Sequence, residues 1–246
     1  MVNSYLFYAL ALLLLLNSNT IVLCLATTFN INTTNTDQIS LFAFKKTITS
    51  DPYAILANNW SENVSVCHWI GVTCGTKHQR VMYLNISRFD LSGTVSPHLG
   101  NLTFLRYLDI SFNNFTGNIP SELSHLYRLR RINMGFNSFT GEIPSWFGAL
   151  PQLEQMILMN NTFSGTLPSD ICNNLPNLKT LYVSGNQLEG QIPPNICKCR
   201  NIERLALSTN HFTGKIPSEI GSLSMLKELY LGYNDLKGIY DLTYTI

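Results

Sequence analysis

The feature that most limits what this chain can become is a period. Leu105, Leu108 and Ile110 set out L-x-x-L-x-L, and Asn113, Phe115, Gly117, Ile119-Pro120, Leu123 and Leu126 follow at fixed offsets. The same head returns at Leu129, Leu153, Leu178, Ile202 and Leu226, in steps of 24, 24, 25, 24 and 24 residues. Recurrence in phase at this length implies a short unit that stacks on its neighbours to bury a shared core. Length alone would allow one or two domains. The repeat favours one elongated domain, with about seven units over 81–238 and the last incomplete.

Within a unit, the alternating L-x-L is a strand with one buried face. Stacked copies place these strands in parallel along a concave surface. Asn113, Asn137, Asn161, Asn186, Asn210 and Asn234 recur where the chain leaves that strand. A carboxamide carries two donors and an acceptor, so it suits a ladder of bonds to backbone groups. Leu91, Phe115, Phe139, Phe163, Leu188, Phe212 and Leu236 read as an apolar spine. The recurring glycine, from Gly93 to Gly238, marks a positive φ or a close backbone approach. The proline after it, from Pro120 to Pro217, suits an extended edge before the convex side.

The pattern N-x-L/F-x-G-x-I-P resembles the plant-type leucine-rich repeat of receptor-like kinases, receptor-like proteins and polygalacturonase-inhibiting proteins. The resemblance implies an α/β solenoid: a right-handed superhelix with a parallel β-sheet on the concave face, a second short sheet beside it and a helical N-terminal cap.

Met1 to Ala26 reads as a secretory signal peptide, with an apolar run from Leu6 to Leu16 too short to span a bilayer. Its leading end is unusual, because no Lys or Arg precedes Lys45. No later segment is apolar enough to cross a membrane. Residues 27–80 resemble the cap of the larger receptor-like kinases that perceive microbial patterns, through TDQISLFAFKKTITSDPYAILANNW and CHWIGVTC. The resemblance implies a Cys67–Cys74 disulfide; a zinc half-site is the rival reading of that spacing. Thr36 is a candidate helix start that puts Leu41, Phe44 and Ile48 on one face, and Trp60 and Trp69 are placed to seal the first repeat.

Cys172 and Cys197 hold the same repeat position one period apart. Stacking brings them near each other, and the splay of the convex side decides between a bridge and two thiols. Cys199 falls in a leucine column and is expected to be a buried apolar thiol. Seven N-x-S/T sequons, at Asn32, Asn59, Asn63, Asn85, Asn101, Asn114 and Asn160, fit a secreted glycoprotein. Asn85 and Asn160 are expected on the concave side. The first repeat has Phe89 at the ladder position, and the fourth carries an extra residue near Cys172-Asn173-Asn174, where a convex bulge is expected.

The last repeat stops after Gly238, and the tail 239–246 reads IYDLTYTI. A receptor fragment, a truncated gene model or a splice form is the expectation; a short decoy receptor is the alternative. Solenoids bind on their concave face. Of its outward positions, Tyr107, Phe112, Arg131, Phe136, Tyr182, Arg204, Tyr230 and Tyr233 are of the types that dominate binding hot spots, with Phe112, Phe136 and Arg131 the favoured patch. Net charge is +1 with 13% charged residues, which gives no basis for a nucleic-acid partner. The five histidines share no strand row with a nucleophile and an acid, and no metal, phosphate-loop or kinase motif occurs. The expectation is a non-enzymatic, cofactor-free, extracellular module. Its partners would be a peptide, a microbial pattern or a co-receptor ectodomain, in defence or development. The resemblance implies a serine/threonine kinase only in a parent receptor. An inhibitor of a microbial cell-wall enzyme, of the polygalacturonase-inhibiting type, is the other function considered.

Overall fold

The computed structural model describes residues 33–238. The leader expected at Met1–Ala26, the sequon at Asn32 and the tail 239–246 lie outside the described residues. Two compact units divide the chain at Asn35 and Thr36, and nearly all described residues belong to the second.

Helix α1 (Thr33–Lys45) begins three residues before the Thr36 start suggested by sequence. Leu41 and Phe44 are fully buried. Ile48 does not share their helical face. The β-branched run Thr47-Ile48-Thr49 disfavours another helical turn, Thr47 Oγ1 donates to Phe44 O at 2.8 Å, and Ile48 opens strand β1 (Ile48–Ser50). The Asp51 carboxylate then accepts from the backbone N–H groups of Ile55, Leu56 and Ala57, starting the short helix α2 (Ile55–Asn59). Trp60 and Trp69 stack with centroids 5.1 Å apart. Each buried indole donates to a carbonyl, Ile70 O and Val64 O respectively. Phe44 lies against both Trp60 and Phe115, so the cap core continues into the spine of the repeats. Cys67 and Cys74 form a disulfide, which commits both sulfurs and removes them as zinc ligands.

Strand β2 (Val72–Cys74) pairs antiparallel with β3 (Val81–Asn85). From there each repeat contributes two strands: β3 and β4 (Ser92–Thr94); β5 (Tyr107–Asp109) and β6 (Asn114–Gly117); β7 (Arg131–Asn133) and β8 (Ser138–Phe139); β9 (Gln155–Ile157) and β10 (Ser164–Thr166). The last three repeats add β11 (Thr180–Tyr182) and β12 (Gln187–Gln191); β13 (Arg204–Ala206) and β14 (His211–Lys215); β15 (Glu228–Tyr230) and β16 (Asp235–Lys237). The first strands of the repeats form one sheet with β2, parallel throughout except at the β2–β3 pair. Register follows the repeat: Tyr107 pairs with Arg131, Arg131 with Gln155, Gln155 with Thr180, Thr180 with Arg204 and Arg204 with Glu228. The 25-residue step therefore enters without a slip in the sheet.

The second row of strands exists, but in two four-stranded pieces, β1-β4-β6-β8 and β10-β12-β14-β16, linked by a bridge between Glu142 and Ser164. At its head β1 runs antiparallel to β4, with Ile48 opposite Gly93. A Cβ on Gly93 would run into Thr47 O, so only glycine lets the cap approach this closely.

The ladder asparagines bond across repeats. Asn161 Nδ2 donates to Leu158 O of its own repeat at 3.1 Å and to Met134 O of the preceding repeat at 3.0 Å. Its Oδ1 accepts from Phe139 N at 3.0 Å. Asn113, Asn137, Asn186, Asn210 and Asn234 repeat this geometry. Inside the ladder, Phe115, Phe139 and Phe163 stack with centroids 6.3 and 6.2 Å apart.

One cysteine reading is corrected. Cys172 is bonded to Cys199, not to Cys197, which is the free thiol among the described cysteines. Among the described residues, five repeats turn through a 3-10 segment on the convex side, such as Pro194–Lys198. In the fourth, the extra residue replaces that segment with a turn at 169–173. Cys172 is turned inward there and is buried. Cys199 occupies the buried leucine column, whereas Cys197, within a regular 3-10 segment, stays half-buried. The buried pair therefore meets, and Cys199 is a bridge partner where an apolar thiol was expected.

Candidate functional site

The paired strands carry their outward residues in rows one period apart. Tyr83 and Tyr107 stack with centroids 4.7 Å apart and rings 7° from parallel. Phe112 and Phe136 stack at 4.1 Å. The guanidinium over this pair belongs to Arg88, 3.7 Å from the Phe112 ring, and not to Arg131. Arg131 lies 3.7 Å from Asp109 Oδ2, and its Nε is buried without a hydrogen-bond partner. The Asp109 carboxylate also accepts from Ser111 Oγ at 2.6 Å and Asn133 Nδ2 at 3.0 Å. Tyr107, Phe112, Arg131 and Phe136 thus lie in one area of the second and third repeats, as a Tyr83–Tyr107 stack, a Phe112–Phe136 stack under Arg88 and an Arg131–Asp109 ion pair.

A second cluster surrounds Glu228. Its carboxylate accepts from Arg204 Nε at 3.0 Å and from the Tyr182 hydroxyl at 3.3 Å. Burial first, and then the Glu228 charge, hold the Tyr182 hydroxyl above the usual tyrosine range. Tyr230 stands beside Glu228 in β15, and Tyr233 is 81% exposed. Three strand spacings separate β5 from β11, about 14 Å. The eight candidate side chains are therefore divided between two areas. Hot-spot residue types do not point to Glu228 or Asp109, and Arg88, although of such a type, stands out only through its place over the Phe112 ring. The signal for Glu228 was an opposite charge one period after Arg204.

This periodic, one-faced sheet behind a helical cap is also what comparison with known proteins returns. The leucine rich repeat N-terminal domain matches residues 34–75, and leucine rich repeat models match 104–126, 128–188 and 201–223. The chain belongs to the leucine-rich repeat family. It is homologous to plant leucine-rich repeat receptor kinases. The LRR receptor-like serine/threonine-protein kinase EFR of Arabidopsis thaliana is 41% identical over 71 residues, 29% of this chain and 7% of the relative. The other leading curated relatives are likewise matched over only 7% of their length. The crystal structure of PEPR1-AtPEP1 superposes with a TM-score of 0.77 at 34% identity, covering 82% of this chain and 28% of that one. The Arabidopsis receptor kinase HAESA in complex with the peptide hormone IDA and the co-receptor SERK1 gives 0.56 at 27% identity, covering 82% and 42%.

In this leucine-rich repeat protein, the residue just before each ladder asparagine has a positive φ: Phe112, Phe136, Asn160, Gly185, Thr209 and Tyr233, with Arg88 at the equivalent place in the first repeat. The turn out of the strand demands it in every repeat. Glycine and asparagine adopt it readily, but a β-branched residue is strained there. Thr209 is such a residue, with φ of 56° and an exposed side chain. Thr209→Asn is therefore expected to stabilise the protein by about 0.5–1 kcal/mol, read as a higher urea midpoint. An unchanged or lower midpoint would show that the threonine carries no strain.

The six sequon asparagines among the described residues are all exposed. Asn85 ends β3, and Asn160 lies in the positive-φ row. Among those residues no helix is long and apolar enough to cross a membrane.

Proposed function

We propose that this chain is the extracellular, ligand- or co-receptor-binding part of a plant leucine-rich repeat receptor-like serine/threonine kinase, acting in defence or developmental signalling. The observation that carries the reading is the continuous sheet face. Tyr83, Tyr107, Phe112 and Phe136 stack in rows on it, and beyond them lies the Arg204–Glu228–Tyr182 cluster. Rigid aromatics and fixed arginines at repeat spacing suit an extended peptide crossing several strands, or the edge of another ectodomain. The disulfides and exposed sequons support passage through the secretory pathway. The ligand we favour is a peptide, including one that marks a microbe.

The test is expression of the tagged chain in plant cells, then titration of the recovered protein with signalling-peptide panels and co-receptor ectodomains. Recovery from the extracellular fluid with endoglycosidase-sensitive mass is expected. So is binding that weakens about tenfold in Phe136→Ala or Arg204→Ala, roughly 1.4 kcal/mol. An unglycosylated intracellular product, or binding untouched by either substitution, would overturn the proposal.

A further inference from the structure

The charges of this protein are not evenly spread. Sixteen basic and fifteen acidic residues nearly cancel over the chain. Along the position just before each sheet strand, from the third repeat onward, the signs alternate and pair. Arg130 and Lys179 both reach Glu154, at 3.3 and 3.2 Å, and Lys227 reaches Glu203 at 2.9 Å. The first repeats break this rule. Lys77, Arg106 and Arg128 have no ion pair among the described residues, and they share one groove.

That groove, about 310 Å³, lies where the chain enters β3, β5 and β7. It continues past Arg106 and Arg128 into a cleft of about 380 Å³ bounded by Tyr127, Arg130 and Pro151. It shares no residue with the two concave clusters. Two of its cations, Arg128 and Arg80, are held in place. Arg128 lies 4.1 Å from the Phe104 ring centroid and 5.4 Å from that of Tyr127. Arg80, anchored on buried Asp37, lies 4.7 Å from the same Phe104 ring. Ring quadrupoles offset part of the repulsion between these guanidiniums and limit their freedom. Pre-placed guanidiniums lose little entropy when they take carboxylates in two-pronged bonds.

We infer that this groove is a docking site for an acidic, extended segment of a protein partner. Charge complementarity requires an anion. A partner strand presents same-face carboxylates about every 7 Å, within the reach of arginines on successive repeats. A carbohydrate polyanion is the poorer fit, because Phe104 is already occupied by two guanidiniums and the His78 edge and offers no free face for a sugar ring. The inference stands apart from the proposed receptor role, since it concerns a different surface.

The test uses the full chain with its disulfides formed and a short labelled peptide alternating Glu and Leu, followed by fluorescence anisotropy. Binding is expected to weaken as salt rises and to be lost with a Gln-Leu peptide. Arg106→Gln with Arg128→Gln should weaken it about tenfold or more, about 1.4 kcal/mol. Lys179→Gln with Lys227→Gln removes the same charge elsewhere and should change it less than about twofold. If the arginine pair disturbs the fold, exposed Lys77→Gln serves instead, with a loss of about threefold. No binding of the acidic peptide, equal losses in both double variants, or binding of an oligouronate in preference to the peptide would each overturn the inference.

Discussion

Asp37→Ala is expected to destabilise the protein by about 3–5 kcal/mol, the cost of stranding a buried charge. Asp37 is wholly buried in α1. Its carboxylate accepts from Arg80 Nε at 2.9 Å and Nη2 at 2.7 Å, and from Val81 N at 2.8 Å. The substitution leaves the Arg80 guanidinium nearly buried without its partner and the first N–H of β3 unpaired. One side chain thus ties the cap helix to the first repeat across 43 residues of sequence. Asp37→Asn keeps an acceptor for Val81 N and should cost less. Urea unfolding in a Trp146→Phe background, followed by the fluorescence of Trp60 and Trp69, reads the cap directly. A midpoint shift worth less than about 1 kcal/mol would place the cap's hold on the solenoid in apolar packing alone.

Asn161→Ala is expected to cost about 3 kcal/mol, more than the same change at Asn234, where about 1 kcal/mol is expected. Both side chains bond to two repeats. Asn161 satisfies Met134 O, Leu158 O and Phe139 N inside the ladder, where water cannot replace it. Asn234 makes the equivalent bonds to Leu207 O, Leu231 O and Phe212 N, but it is only partly buried. Circular dichroism in urea compares the two variants. Equal losses would mean that burial does not set the worth of a ladder bond, and the difference is therefore the informative quantity.

The sequence made the repeated parts legible and the singular parts obscure. The strand register, the apolar spine, the ladder and the turn glycines each recur, so one unit read correctly is read many times. Ile48, Cys199 and Arg131 do not gain from this. Ile48 leaves the helix because of the β-branched residues around it and the approach of Gly93. In the sequence Cys199 stands as a leucine substitute, and its buried column agrees, but the inserted residue of the fourth repeat turns Cys172 toward it. By residue type Arg131 groups with Phe112 and Phe136. The charge that draws it is the Asp109 carboxylate, in the same sheet one repeat earlier.

The groove and the concave clusters show the same limit. A period places Arg106 and Arg130 in one row and Arg204 beside Glu228. It does not report which cations remain unpaired, since that depends on Phe104, Tyr127 and the Gly75–Arg80 turn closing around them. The sequence by itself determined a leucine-rich solenoid with one patterned face, because a 24-residue repeat with fixed apolar offsets can bury its leucines only by stacking. The tertiary structure decided the disulfide partner, the Asp37 tie and the division of the aromatic and charged residues into separate surfaces. Those depend on distances between side chains that no periodicity encodes.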